Sequence, residues 1–215
     1  MPDVNVQIVS VNVALPKVLG RVRGQEVRSG IAKLPVTADT LILSTSNLEG
    51  DRQADQSVHG GPDKAVYVYS ADHFEEWTAA ASQIFGPGGF GENLTVAGVT
   101  EADACIGARW SWGDALLEVV QPRLPCFKLA MHRGTARVGR IMMATARTGW
   151  YLRVLRPGTV PTTGTIAIEH HAQGISVADA YWGFRRPDSE LAQSLLGLPE
   201  LADGWRHAIS SRSGK

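Results

Sequence analysis

With 21 basic and 21 acidic side chains in 215 residues and 44% hydrophobic content, the chain is neutral and globular in composition, which excludes disorder throughout and disfavours a long nucleic-acid partner. The start, Met1-Pro2-Asp3-Val4-Asn5, has no basic stretch ahead of an apolar one, and no apolar run reaches membrane length, so a cytoplasmic protein with no membrane partner is expected. Two cysteines exclude a disulfide framework, and the length suits one large β domain or a domain of about 170 residues with a small appendage.

Residues 4–9 alternate apolar and polar positions, as a half-buried strand does. The polar run Arg28-Ser29-Gly30-Ile31-Ala32-Lys33 reads either as a surface turn or as a loop offering a hydroxyl, a free N–H and an ammonium. A second β-type run covers 40–43, followed by the turn signal Glu49-Gly50-Asp51. Val58-His59-Gly60-Gly61-Pro62-Asp63-Lys64-Ala65 then leads into a strand at 65–69. Its adjacent glycines allow close backbone approach, so it could bring N–H groups, the His59 ring and the Lys64 ammonium to an anion; taken alone it reads rather as a tight hairpin with an exposed imidazole.

Ser70 caps a helix to about residue 83, with Asp72 in its first turn and Phe74, Trp77 and Ala81 on one face. After Gly86-Pro87-Gly88-Gly89, the run Phe90-Gly91-Glu92-Asn93-Leu94 sets a carboxylate and a carboxamide at the start of a strand at 93–96. They either bond the edge of a heterocycle or order a neighbouring loop. Cys105 has apolar neighbours and reads as a core residue. A strand at 115–120 runs into Gln121-Pro122-Arg123-Leu124-Pro125-Cys126-Phe127-Lys128-Leu129, where a helix begins near Cys126 and continues towards Met143 with a break at Gly134 or Gly139.

Strands at 150–155 and 165–168 complete the β pattern, around the turn Arg156-Pro157-Gly158. Many short strands at this spacing predict a barrel or closed sandwich with peripheral helices, a mainly β, α+β fold. From Gly174 the texture turns helical, with caps at Ser176 and at Asp188 or Ser189 and with Leu191, Leu195, Leu196 and Leu198 at helical spacing. The expected division is a barrel domain over 1–172 and a helical extension over 173–215.

Charge is uneven along the chain. No Asp or Glu falls between Val119 and Ile168, while Arg123, Lys128, Arg133, Arg137, Arg140, Arg147, Arg153 and Arg156 all do. For most of these the plain expectation is a solvated face or an acid from another segment. Arg123 and Lys128 are the exception because they frame Cys126, and cations favour a thiolate, which can ligate a soft metal or act as a nucleophile. His132, His170, His171 and His207 share no metal-ligand spacing with one another or with either cysteine, so zinc and iron–sulfur sites are not expected.

Together, Ser29-Gly30-Ile31-Ala32-Lys33, Leu48-Glu49-Gly50-Asp51, the His59-Gly60-Gly61-Pro62-Asp63-Lys64 loop, Phe90-Gly91-Glu92-Asn93-Leu94, the Cys126 run and Gly149-Trp150-Tyr151-Leu152-Arg153-Val154 resemble the MOSC domain, named for the C-terminal part of molybdenum-cofactor sulfurase. The helical tail is similar to the three-helix extension of the hydroxylaminopurine-resistance subgroup. The resemblance implies a β-barrel that binds molybdenum cofactor (a molybdenum–pterin) with Cys126 as the protein's metal ligand. It also implies two-electron reduction of N-hydroxylated compounds, such as hydroxylamino-purines and amidoximes, to amines or amidines.

On that basis Ser29, Lys33, Lys64, Arg123 and Lys128 are candidates for holding cofactor oxygens, and Glu92, Asn93 and His59 for orienting cofactor or substrate. Valine stands at position 68, where relatives often carry histidine, so His59 or water is expected to deliver protons. The chain lacks a cysteine-rich ferredoxin module, so a separate electron-donating reductase is the expected partner of a monomer or homodimer. Two other readings remain open here: a sulfur-transfer or cofactor-carrier protein with a Cys126 persulfide, and a ligand-binding barrel whose cysteine is inert.

Overall fold

The computed structural model of the chain describes residues 4–54, 60–81, 83–169 and 174–213. Its first strand, β1 (Val4–Val13), buries Val6 and Ile8 by strict alternation. A bulge between Ile8 and Ser10 then shifts the period so that Val11 also points inward. Next in the chain come a hairpin of β2 (Lys17–Val22) and β3 (Gln25–Ser29), then the short strand β4 (Leu34–Pro35), paired with β1. The Arg28–Lys33 run is therefore partly strand, and Ser29 closes it.

Seven strands close into a barrel. β1 pairs with β7 (Leu94–Ala97) on one edge and with β12 (Thr165–Glu169) on the other. Between these the ring runs through β8 (Arg109–Trp112), β9 (Ala115–Pro122), β10 (Trp150–Arg156) and β6 (Val66–Ser70). Outside the ring, β5 (Thr40–Leu43) pairs with β11 (Gly158–Pro161). β8 and β11 were not predicted from the sequence, since neither is rich in the aliphatic residues that mark β5.

All pairs around the ring are antiparallel except β6 with β7. Parallel neighbours need a crossover, and residues 71–93 supply it. Ser70 does cap, but it caps a 3₁₀ turn, Ala71–His73, accepting a hydrogen bond from the Asp72 N–H at 3.3 Å. The α-helix that follows, α1 (Phe74–Ala81), stops short of the predicted end.

The crossover and two further helices cover the outer face of the barrel wall. These are α2 (Phe127–Arg133) and α3 (Arg137–Thr145), and the break between them is at Gly134, whose φ of 68° places it in the left-handed region that ends helices; Gly139 lies within α3. As a result β6 is buried on both sides. Val66 and Val68 face the barrel core, while Tyr67 and Tyr69 face outward to pack with Trp77, Phe85, Phe90, Leu129, Val138 and Met142.

Among the described C-terminal residues are α4 (Val177–Arg185), α5 (Glu190–Leu196) and α6 (Asp203–Ser210). Ser176 and Ser189 cap the first two, accepting from the Asp179 and Ala192 N–H groups at 3.0 and 3.2 Å. The predicted boundary between 172 and 173 lies outside the described residues. Val177, Tyr181, Leu195, Trp205 and Ile209 join the same apolar cluster as the barrel interior. Among the described residues no helix is long and apolar enough to cross a membrane.

Candidate active site

β9 ends by pairing Gln121 and Pro122 with Tyr151 and Trp150 of β10, and the Arg123 N–H continues the ladder to the Gly149 carbonyl at 3.0 Å. The chain then turns through Leu124 and Pro125, and Cys126 becomes the residue that starts α2, in extended geometry and half-buried. Its thiol spends no hydrogen bond on capping the helix. The β9–α2 junction thus delivers the sulfur to the outer face of the barrel wall, where it opens on a pocket.

That pocket is lined by Ser29, Lys33, Lys64, Asn93, Arg123, Cys126 and Lys128, all singled out in the sequence. It is also lined by Arg52, Gln53, Tyr67 and Tyr151, which were not. Tyr67 and Tyr151 are register partners on β6 and β10, with ring centroids 5.3 Å apart. Period two gives the side for Tyr67, outward once Val66 and Val68 take the core, but that it meets Tyr151 at a pocket follows only from the closed barrel.

Arg123 is a buried cation of this wall. Its guanidinium carbon lies 4.8 Å from the Tyr67 ring centroid, Tyr151 shares a hydrogen bond with it, and its Nη1 has no hydrogen-bond partner. Burial works against its charge, but the Tyr67, Tyr151 and Cys126 side chains outweigh that and push its pKa further up. Burial raises the Tyr67 and Tyr151 hydroxyls above the usual phenol range, opposed by Arg123, so both stay neutral phenols, and the Tyr67 hydroxyl donates to the Thr148 carbonyl at 2.8 Å.

Lys33 forms a nearly sealed ion pair with Asp51. Burial pulls the ammonium below the ordinary lysine value, and Asp51 opposes the shift. Asp51 also accepts the Ala14 N–H and the Asn93 Nδ2, each at 2.9 Å, and the Asn93 Oδ1 accepts the Tyr67 N–H at 3.2 Å. One carboxylate therefore ties three separate segments of the pocket wall together. Burial likewise pulls Lys64 down, with Asp63 opposing.

Two sequence expectations need correction or restriction. Glu92 is fully buried and does not line the pocket. Its carboxylate accepts the Gly88 N–H at 2.7 Å, the Phe90 N–H at 2.9 Å and the Thr95 hydroxyl at 2.9 Å, leaving it the loop-ordering role. His59 lies outside the described residues. Val68 points into the barrel core, so a histidine at 68 would not face this pocket on the present backbone. Cys105 is half-buried, packed against the barrel cluster.

Of the basic run, Arg153 pairs with Asp63 and Glu118, Arg147 pairs with Glu76, and Arg133 stacks on Phe85 at 4.1 Å. Among the described residues no three His, Cys, Asp or Glu side chains gather as metal ligands. The arrangement suits an anionic group that brings most of its own metal donors and takes one sulfur from the protein.

The sequence matches the MOSC domain over residues 55–167. It is 40% identical over 211 residues to the uncharacterized protein YflK of Bacillus subtilis (strain 168), covering 97% of this chain and 95% of that one. A 33% identity over 165 residues, 71% of this chain, relates it to a protein of Gibberella moniliformis named Reductase, 29% of which is spanned. Among solved structures, YiiM from Geobacillus stearothermophilus is similar with a TM-score of 0.80 at 30% identity, covering 96% of this chain and 98% of that chain.

Proposed function

The chain belongs to the MOSC domain family, and from that premise we propose that it binds molybdenum cofactor and reduces N-hydroxylated compounds to amines or amidines. The observation that carries this reading is a free thiol and a buried, partnerless guanidinium N–H at one cation-lined pocket. Those residues fit the group. Cys126 would give the metal its single protein ligand, and Arg123, Lys64 and Lys128 would hold the phosphate and pterin oxygens through charge-assisted hydrogen bonds. Lys33, neutralised by Asp51, and Asn93 would fix the wall against which the pterin lies. The relative named Reductase supports a redox role.

When bound, the cofactor would supply a two-electron couple between molybdenum IV and VI and an acceptor for oxygen. In the net reaction the N–O bond breaks, two electrons and two protons enter, and the amine and one water leave. The chain's own part is to hold the cofactor, orient the substrate and provide a proton path, for which His59 and pocket water are the candidates. With Cys126 given to the metal, one cysteine remains in these 215 residues, too few for an iron–sulfur cluster, and a separate reductase is the proposed electron donor.

Expression in a strain that makes the cofactor should yield about one molybdenum per chain in the wild type and none in Cys126→Ser. The loaded wild type, given electrons, should convert hydroxylaminopurine to the aminopurine. Metal content unaffected by Cys126→Ser would reject the ligand assignment. A gain of one sulfur on Cys126 with no molybdenum would replace the reductase reading by a persulfide carrier.

A further inference from the structure

The chain has four tyrosines, and three of them give their hydroxyl proton to the backbone. Tyr67 donates to the Thr148 carbonyl at 2.8 Å, Tyr69 to the Arg147 carbonyl at 3.2 Å and Tyr181 to the Met143 carbonyl at 2.7 Å. Tyr151 differs. Its hydroxyl shares a hydrogen bond with Arg123, and because a guanidinium can only donate, the phenol oxygen is the acceptor there. Its own proton meets no acceptor among the described residues.

The barrel wall fixes where this unspent proton sits. On β10, Tyr151 pairs with Gln121 of β9, the strand that runs on to Arg123, and with Tyr67 of β6, whose ring centroid lies 5.3 Å from its own. It lines the same pocket as Cys126, Lys64 and Arg123. Burial raises its hydroxyl above the usual phenol range, against the pull of Arg123, so the proton is retained throughout the neutral range. Once the proton has left, the same guanidinium is in place to stabilise the phenolate.

We infer that Tyr151 is the general acid of the reductase reading, on which this inference rests, and that its hydroxyl gives a proton to the substrate nitrogen as the N–O bond breaks. The nitrogen then leaves as a neutral amine or amidine instead of an anion. The oxygen takes the second proton and leaves as water. The two electrons come from the separate reductase, which is oxidised, and His59 or pocket water returns a proton to the phenolate. Valine at position 68 then withholds nothing from the reaction: that position faces the barrel core, whereas the donor stands on the neighbouring strand and faces the pocket.

Tyr151→Phe removes one oxygen and keeps the ring that packs on Tyr67. Protein labelled at the tyrosine Cζ with an NMR-active carbon isotope gives four resonances, and Tyr151→Phe identifies the one from residue 151. Titration with inorganic phosphate should move that resonance, as the unspent hydroxyl proton is donated to the anion. Tyr69 and Tyr181, whose protons are engaged by carbonyls, should not respond. In the molybdenum-loaded protein, with reduced methyl viologen in excess as electron source, Tyr151→Phe should keep its metal. It should lose about 10²-fold in hydroxylaminopurine turnover at saturating substrate. Imidazolium added as an external acid should restore part of the variant's rate and leave that of the wild type unchanged.

Full turnover in loaded Tyr151→Phe, or a loss that imidazolium does not relieve, would overturn the assignment. So would a variant without molybdenum, since Tyr151 would then serve the cofactor, and so would a Tyr151 resonance that phosphate leaves unmoved. A wild type that holds no molybdenum and reduces no hydroxylaminopurine, yet shows the phosphate-dependent shift at Tyr151, would sink the reductase reading and leave the available proton standing.

Discussion

Arg123 and Tyr67 are stacked in the pocket wall, guanidinium carbon 4.8 Å from the ring centroid, and the Nη1 of that guanidinium meets no acceptor within the protein. A guanidinium cannot shed its proton at any pH the fold survives, so burying it with an idle N–H is costly unless something anionic completes it. The tyrosine face offsets part of that cost and fixes the plane of the fork. The remaining N–H is best understood as reserved for a ligand.

Inorganic phosphate or pyrophosphate should therefore raise the melting temperature of the wild type, since a ligand that binds only the folded state stabilises it. Arg123→Lys loses both the fork and the stack and should bind about tenfold more weakly. Arg123→Met should lose the thermal shift, and high salt should shrink it in the wild type. An undiminished shift in Arg123→Met would remove this residue from anion binding.

Lys33 and Asp51 make unequal contributions to the wall. Asp51 serves the Lys33 ammonium, the Ala14 N–H and the Asn93 amide, so Asp51→Ala strands three donors, one of them a buried charge. Its cost in urea denaturation should be about 3–5 kcal/mol. Lys33→Met leaves the carboxylate two donors and should cost less, about 1–3 kcal/mol. The double variant should fall short of the sum, because the pair is counted once in each single change. Full additivity would mean that the two side chains do not interact in solution.

Legibility followed the strength of the local pattern. Thr40–Leu43 is the strand its residues predict, and Ser176 and Ser189 cap as their hydroxyls suggest. Arg109–Trp112 and Gly158–Pro161 escaped because, unlike the aliphatic run at Thr40–Leu43, neither is rich in aliphatic residues, and the second begins inside a Pro-Gly turn signal. The parallel pairing of β6 with β7 had no local signal, since it depends on where the crossover returns. In the site, charged and motif-borne residues were legible: Cys126, Lys33, Lys64 and Arg123 all face one pocket. Tyr67 and Tyr151 were not, because each resembles an ordinary strand aromatic until the barrel closes and brings them into register. Glu92 was misassigned because its type suits ligand and loop alike, and only burial decides between them.

The motif glycines permit close approach. Gly91 has φ of +81°, and a Cβ there would sit 2.6 Å from the Cγ1 of Ile31, which itself lines the pocket. Gly91→Ala should cost more than about 1 kcal/mol from backbone strain alone, with the displacement of Ile31 added. Cofactor content should fall together with stability, because the same contact shapes the pocket. A fully loaded, fully stable Gly91→Ala protein would show that the 29–33 and 90–94 segments are not mutually dependent.

Glu92 gives a pH signature with a definite sign. Burial pushes its carboxyl above the ordinary 4.5, against hydrogen bonds from Thr95, Phe90 and Gly88 that pull it down. The folded chain therefore holds this proton at pH values where the unfolded chain has released it. Where the native state binds more protons than the unfolded one, stability declines as pH rises. The contribution of Glu92 should be fully present below 4.5 and should be lost as pH climbs through the raised folded value. Glu92→Gln mimics the protonated side chain and cannot titrate, so subtracting its unfolding free energy from that of the wild type cancels the other carboxylates. Measured by urea denaturation between about pH 4 and pH 7, that difference should fall with rising pH. A difference that rises instead would mean that the three hydrogen bonds outweigh burial and that the native carboxylate is held ionised.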